Sequence, residues 1–576
     1  SYFIMVTYSE NTHVVMSREL NQHLERDTDK RLVEGWGEVF KWMDLCAAIA
    51  ATKHTKCGNI VTAQVDDMRI LRPLHYGDML TVHAQVNNSW NTSMEVETRL
   101  EAENLLEECE PRLICKSYFT FVLIKGESMV KLPKFVPSNR EDEQKFYESF
   151  ERRQIRFKRR ELIRETTSFI NSPRLQRDNS FSNSDIEDRR VKLISDSSIN
   201  SSLIVLPTHA NPHGNTFGGQ IMAWMEETAR LACKKHARRP VYLCHIDDIH
   251  FIKPSTVGDW ITIKAQVNRV FGTSLEVGVR VEIRKLQESE EMVHINSGYL
   301  TYSIIPPSPD EIEQIDNNGT STKLPLVEPA TERQKKQYSD AVGRRRVRMQ
   351  RSAITANELD APEWHPILSR DLIYSNVKSI LYYNISDSID WWNLPTDDDV
   401  AVSVCDTENV TMCKLEFFLE NTRVPGKFQS KDILKVFLDS KLRAKWDTFL
   451  KDIELICKID DHNDIVRLSL GDSNDLCLLR SWRLPTIGSS SNQCIISYHS
   501  IVHPDCPEVE NIKRGVIQTS GFILTDMDDN RIKVAYLMRT SGSALQTTLD
   551  NIPEATFARF KKLQEWYSSL DSDSTI

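Results

Sequence analysis

Hydrophobic and polar positions along the chain fall into two rhythms, one of them used twice. Between Gly37 and Ala51 the run Gly-Glu-Val-Phe-Lys-Trp-Met-Asp-Leu-Cys-Ala-Ala-Ile-Ala-Ala is almost continuously apolar and rich in small residues, which predicts a helix buried on most sides. Strand-like runs follow at 60–65, 68–71, 80–86, 94–100 and 113–122, with turn or polar residues between them. The same order returns later. His213-Gly214-Asn215-Thr216-Phe217-Gly218-Gly219-Gln220 leads into Ile221-Met222-Ala223-Trp224-Met225-Glu226-Glu227-Thr228, a glycine loop before a second buried helix, and strand-like runs follow again.

The two copies keep a constant spacing. Asp66-Asp67 answers Asp247-Asp248, Gly77-Asp78 answers Gly258-Asp259, Val86-Asn87 answers Val267-Asn268, and Tyr118 answers Tyr299, each 181 positions apart. In the helix the spacing is 182, so that Gly37 answers Gly219, Trp42 answers Trp224 and Asp44 answers Glu226. A spacing held over that length means duplication. One long helix followed by about five antiparallel strands, twice, is an α+β arrangement in which each sheet wraps its helix.

Beyond about residue 362 the repeat stops. A helical start near 371–383 gives way to alternating segments at 414–419, 453–459, 465–470, 475–484, 493–501, 515–524 and 531–538. Ile552, Thr556, Phe557, Phe560, Leu563 and Tyr567 then recur at helical spacing. Helix, curved sheet and terminal helix can enclose a cavity. The segments between these blocks differ in composition. Residues 168–200 are rich in Ser, Asn, Asp and Arg and read as a flexible linker, and Arg177-Asp178-Asn179-Ser180 within it has kinase-site composition. Each repeat is trailed by a basic amphipathic piece, Arg152-Arg153-Gln154-Ile155-Arg156 and Arg344-Arg345-Arg346-Val347-Arg348. Either could pack on the sheet or lie near the phosphates of a nucleotide-bearing ligand.

Length and composition narrow the class. At 576 residues the chain exceeds one core. A mean hydropathy of −0.41 and the lack of any run of roughly 18 to 20 apolar residues describe a soluble chain without a membrane span. A net charge of −10 argues against nucleic-acid binding by bulk charge. Twelve cysteines without Cys-x-x-Cys or zinc spacing fit free thiols in a reducing compartment, with no metal site. No secretory signal is visible at the start, and the expected location is cytoplasmic.

The loop His-Gly-Asn-Thr-Phe-Gly-Gly-Gln, the Trp-Met-Glu helix, the Asp-Asp pair and Val-Gly-Asp resemble the acyl-CoA thioesterases with tandem hotdog domains. Arg443-Ala444-Lys445-Trp446-Asp447, Leu479-Arg480-Ser481-Trp482-Arg483, Lys513-Arg514-Gly515 and the terminal helix resemble a START lipid-binding domain. Hotdog, hotdog, START is the layout of the branch containing the cytosolic acetyl-CoA hydrolases and the brown-fat-inducible thioesterases. The resemblance implies hotdog domains at 10–125 and 195–306, paired as a pseudo-dimer. A basic helix and flexible linker fill 126–194, a linker with a basic helix fills 307–361, and a START-like helix-grip domain fills 362–570. It implies an acyl-CoA substrate, a lipid at the START domain, no cofactor (CoA being part of the substrate), and assembly of the chain into homo-oligomers, commonly trimers.

Thioester hydrolysis needs a base or nucleophile for the carbonyl and donors where the oxyanion develops. A helix carboxylate and a loop of amides supply both, but not within one repeat: from Gly218 to Glu226 a helix rises roughly 12 Å. Across antiparallel helices the loop of one repeat can meet the carboxylate of the other. One such site pairs Asn215 with Asp44; the other would pair Glu226 with Val33, which has no side-chain donor, beside Trp36 in place of a glycine. One working site is therefore expected. The resemblance maps a loop Asn and a partner-helix Asp onto the same Asn215 and Asp44. Asp44 is assigned as general base or direct nucleophile, Asn215 as the group orienting water or carbonyl, and Gly218 and Gly219 as backbone donors. His213 is read as loop structure, Glu226 as structural, and the Asp-Asp pairs as strand-end caps. A non-catalytic acyl-CoA- or lipid-binding protein is the alternative.

Overall fold

The computed structural model describes residues 8–14, 35–56, 60–75, 78–104, 111–123, 131–170, 190–211, 214–285, 291–304, 324–356, 361–365, 369–385, 391–394, 401–407, 410–420, 429–448, 450–470, 474–485, 493–509, 511–527, 531–541 and 561–566. The chain divides into two compact units, Ser1–Arg345 with Pro366–Leu368, and Arg346–His365 with Ser369–Ile576. Both mix helices with antiparallel sheet, so the fold class is α+β.

The first unit runs β1 (Tyr8–Val14), α1 (Gly37–Thr55), β2 (Ile60–Val65), β3 (Met68–Ile70), β4 (Asp78–Ser89), β5 (Ser93–Asn104), β6 (Arg112–Leu123) and α2 (Arg140–Ile170). It continues with β7 (Val191–Leu193), β8 (Ile199–Ile204), α3 (Gly218–Ala237), β9 (Val241–Ile246), β10 (Ile249–Phe251), β11 (Trp260–Phe271), β12 (Ser274–Arg284), β13 (Val293–Ile304), β14 (Leu326–Glu328) and α4 (Glu332–Ala356). The duplication extends to local detail. α1 and α3 both end on a left-handed residue, Lys56 at φ 52° and Arg238 at φ 53°. A β-bulge falls between Val86 and Asn88 in one copy and between Val267 and Arg269 in the other.

The two copies share one 12-stranded sheet. β2 pairs with β10 and β3 with β9, with Val65 opposite Ile249 and Met68 opposite Ile246, so the hydrogen-bond ladder crosses the seam without a break. Asp248 Oδ1 accepts the backbone N–H of Asp67 at 2.8 Å there, a strand-end cap reaching from one repeat to the other. Alternation along β4 buries Leu80, Val82, Ala84 and Val86 under α1. Phe40, Met43, Cys46, Ala47 and Ala50 of that helix are fully enclosed, and each large side chain among them contributes about 1.5 to 3 kcal/mol of burial. The small residues let α1 and α3 pack against each other as well as on the sheet.

The basic pieces that trail each repeat are helical and lean on the sheet's carboxylates. Arg152 pairs with Glu95 at 2.8 Å and Arg156 with Asp66 at 2.8 Å in the first copy, and Arg344 pairs with Glu276 at 2.6 Å in the second. The connecting segments carry structure the composition did not suggest: β7 and β14 form a two-stranded parallel sheet. Ser180 and its kinase-like surroundings lie outside the described residues.

The second unit contains α5 (Arg370–Ile385), β15 (Trp392–Leu394), β16 (Ala401–Thr407), β17 (Val410–Glu420), α6 (Ser430–Leu438), α7 (Ser440–Arg443), β18 (Leu450–Asp460), β19 (Asn463–Leu470), β20 (Asn474–Arg483), β21 (Gln493–Ser500), β22 (Lys513–Arg514), β23 (Ser520–Asp526) and β24 (Arg531–Ser541). Its sheet order is β15-β16-β17-β24-β23-β21-β20-β19-β18. Ile380 of α5 packs with Ile495, Ile523 and Leu537, while Phe437 and Trp446 pack with Phe522, Tyr536 and Leu563. Residues 561–566 are helical with Leu563 wholly buried; the rest of the expected 552–567 helix lies outside the described residues. The strand expected from 515 begins only at Ser520, because Gly515 N–H is taken by Asp475 O and Ile517 N–H by Ser500 Oγ instead of a ladder partner.

Candidate active site

Asp44 lies on α1, where a face otherwise made of Phe40, Met43 and Ala47 buries it to 1 % exposure. A lone buried carboxylate would be costly, and two donors offset that cost. Thr62 Oγ1 of β2 donates to Oδ1 at 2.7 Å, and the backbone N–H of Gly219, in the first turn of α3, donates to Oδ2 at 2.7 Å. The carboxylate of the first repeat thus sits at the N-terminus of the second repeat's helix, where unpaired amides and the helix dipole favour negative charge. Burial still wins: loss of water pushes the Asp44 carboxyl above its ordinary range, and the Gly219 and Thr62 hydrogen bonds pull it only part of the way back.

The glycines owe their presence to this approach. A Cβ on Gly219 would lie 2.7 Å from Asp44 Cβ and from Phe40 O, and 2.9 Å from Lys41 Cα, so only glycine lets the first turn of α3 touch α1. Gly214, at φ +78°, turns the loop in a conformation other residues rarely adopt.

Asn215 stands three residues ahead of α3, half-buried, in an isolated bridge with Thr256. Its N–H donates to Asn211 Oδ1 at 3.1 Å, and its O accepts from Asn211 N–H at 2.8 Å. The loop is held from outside as well: Thr216 N–H reaches Ser255 O at 2.8 Å and Val257 N–H reaches Gly214 O at 3.2 Å. Asp44 and Asn215 therefore flank the same helix terminus, but no hydrogen bond joins them among the described residues. One expectation is corrected: Gly219 N–H, expected as an oxyanion donor, donates to Asp44 in this structure. Gly218 N–H, one residue earlier, has no acceptor among the described residues. His213 lies outside them.

Thr62 is a functional neighbour that the motifs alone do not mark. Its signal was available: the duplicated position is Leu243, so the hydroxyl exists only in the copy that carries Asp44.

The equivalent place in the other direction is closed. Glu226, fully buried on α3, has Arg230 Nε at 3.3 Å and Tyr302 Oη at 3.4 Å from its Oε1, and takes a hydrogen bond from the Trp36 backbone. At the matching positions of the first copy stand Ala48 and Phe121, so Arg230 and Tyr302 are additions that engage the carboxylate internally. Burial nonetheless raises the Glu226 carboxyl to about 7. Val33 and Glu34 are outside the described residues.

Paired hotdog repeats with a carboxylate at a helix N-terminus, followed by a helix-and-sheet unit, define a double-hotdog protein with a C-terminal lipid-domain fold. Comparison with known proteins agrees. The thioesterase superfamily model matches residues 37–109 and 213–290, and the START domain model matches 388–542. Acyl-coenzyme A thioesterase 11 of Mus musculus is 28% identical over 558 residues, covering 95% of this chain and 88% of that protein. Acetyl-coenzyme A thioesterase of Mus musculus is 28% identical over 528 residues, 90% of this chain and 89% of that protein. Among solved structures, an acyl-CoA hydrolase of Staphylococcus aureus in complex with butyryl coenzyme A, coenzyme A and coenzyme A disulfide is 28% identical. It covers 30% of this chain and 96% of that one, with a TM-score of 0.25. The chain thus carries two thioesterase-superfamily domains and a C-terminal START domain, and it is a thioester hydrolase.

Proposed function

We propose that this protein hydrolyses acyl-CoA to a free acid and CoA at one composite site between its two hotdog repeats. The observation that carries the reading is the hydrogen bond from Gly219 N–H to Asp44, which joins a carboxylate of repeat one to the glycine loop of repeat two. Asp44 acts as general base: water attacks the thioester carbonyl carbon, its proton passes to the carboxylate, and the oxyanion develops beside the first turn of α3. Gly218 N–H and the Asn215 side chain serve as the donors that stabilise it. Collapse breaks the C–S bond, and CoA leaves as the thiol with the returned proton. Direct attack by Asp44 on the carbonyl would instead pass through an anhydride. In a single turnover in 18O-water the general-base route puts the label in the released acid, whereas label in the Asp44 side chain marks an anhydride opened by water at its aspartyl carbonyl.

The START unit binds lipid in this reading, on the side of its sheet that holds Phe437, Trp446 and Phe522. The buried Arg443 guanidinium there is held by Asp447 at 3.2 Å and Tyr498 Oη at 2.8 Å. No helix among the described residues is long and apolar enough to cross a membrane, and the proposed location is cytoplasmic. The enzyme works without a cofactor, as a homo-oligomer for which light scattering of the full chain should give a trimer mass.

The test is CoA release followed with a thiol-reactive dye over a panel of acyl-CoAs. Asp44→Ala and Asn215→Ala should each lose turnover by orders of magnitude; wild-type turnover in both would sink the composite site. Tight acyl-CoA binding by the wild-type chain without thiol release would make it a binding protein.

A further inference from the structure

We infer that Phe251 sets how much bulk the site accepts beside the thioester carbonyl, an inference that rests on the acyl-CoA hydrolase reading above. Phe251 is the last residue of β10, the strand by which repeat two pairs with β2. Ile249 faces Val65 and His250 faces Gln64 in that ladder, so the chain reaches Phe251 as it runs towards Thr62. A Cβ on Gly218 would meet Thr62 Cβ at 3.1 Å and Phe251 Cζ at 3.2 Å. The tip of the ring, the Thr62 side chain and the first turn of α3 therefore close around one point. That point adjoins Asp44, whose two oxygens are held by Thr62 and by Gly219.

A carbonyl taken up at that turn has the ring as its neighbour. The ring carries no charge and no exchangeable proton, so it acts by occupying volume. Its surroundings fit an edge wall: Phe251 packs against the core cluster and is half-buried, while the next residue, Ile252, is 59 % exposed. The backbone is pinned independently of the ring, with Phe251 paired to Asn296 and Ile252 N–H bonded to Ile295 O at 2.9 Å. The duplicated position is Ile70, so the aromatic accompanies the copy of the arrangement that has Asp44 and Thr62 and is missing from the one closed by Arg230 and Tyr302.

Hydrophobic pockets discriminate about 10- to 200-fold per methylene, so removing most of a ring should be easy to read. The full chain, Phe251→Ala and Phe251→Leu are compared by kcat/KM on acetyl-CoA, isobutyryl-CoA and straight chains up to palmitoyl-CoA. Melting temperatures check the fold. In Phe251→Ala the ratio of isobutyryl-CoA to acetyl-CoA should rise roughly tenfold or more, with Phe251→Leu between it and wild type. A change by one common factor on every thioester, in both variants, overturns the inference and leaves the hydrolase reading intact if Asp44→Ala is inactive. Absence of CoA release by the wild-type chain from any thioester overturns both.

Discussion

The backbone N–H of Gly219 donates to Oδ2 of Asp44 at 2.7 Å, across 175 residues of sequence and from one repeat to the other. The same glycine has no room for a Cβ, which would sit 2.7 Å from Asp44 Cβ. Gly219→Ala should therefore both loosen the helix contact, costing about 1 to 3 kcal/mol, and move the carboxylate. Asp44→Asn keeps the volume and removes the proposed base, and should lower kcat about 10²- to 10⁴-fold with little change in melting temperature. Equal damage to stability in the two variants would mean that Asp44 serves packing rather than chemistry.

Thr62 tunes that carboxylate. Its hydroxyl donates to the ionised form, so removing it in Thr62→Val leaves burial less opposed and raises the Asp44 carboxyl further. The proposed base works only when deprotonated, so the acid limb of the kcat profile should lie above the ordinary carboxylate range in wild type and move to still higher pH in Thr62→Val. A charged hydrogen bond of about 1.5 to 3 kcal/mol corresponds to a loss of roughly tenfold to a hundredfold in kcat on the acid side of the profile, where the fraction of ionised carboxylate falls. Thr62→Ser should restore both. A profile that falls in height without shifting would separate Thr62 from Asp44.

Much of this was written in the spacing of the chain. Positions 181 or 182 apart show the repeat, the Asp44 helix and the asymmetry at Val33, because duplication leaves a record that needs no contact map. What the spacing could not show is which atoms meet. Gly219 read as an oxyanion donor because a helix N-terminus offers free amides; its N–H is occupied only because α1 and α3 approach closely enough, a tertiary fact. Glu226 carries a carboxylate at the same place in its repeat as Asp44, and its closure by Arg230 and Tyr302 depends on side chains that converge from α3 and β13. The hydrophobic pattern does not single out strand β16, and it starts the strand at 515–524 too early, where side-chain and loop acceptors replace the ladder.

Glu226 predicts a pH effect on stability rather than on turnover. Its carboxyl sits at about 7 in the folded chain against an ordinary 4.5, so between those values the unfolded chain is ionised while the folded one holds its proton. The folded state then binds more protons, and stability falls as pH rises through that window by on the order of 3 kcal/mol, levelling off above it. Glu226→Gln mimics the neutral form. It should flatten the chemical-denaturation profile between pH 5 and 7, with kcat/KM unchanged because the proposed site lies at Asp44. A matching loss of activity would revive a second site.

Arg344 decides what the basic helices are for. Its guanidinium is 8 % exposed, stacks over the Tyr299 ring with 3.6 Å to the centroid, and pairs with the fully buried Glu276 at 2.6 Å. A cation engaged in that way is not available to phosphates, and the cost of removing it is a carboxylate left alone in the interior. Arg344→Met should therefore destabilise the first unit by about 3 to 5 kcal/mol while leaving KM for acyl-CoA near the wild-type value. Arg344→Met with Glu276→Gln should recover part of that loss, since the stranded charge is gone. The opposite pattern, a raised KM with an unchanged melting temperature, would place this helix against the nucleotide end of the substrate instead.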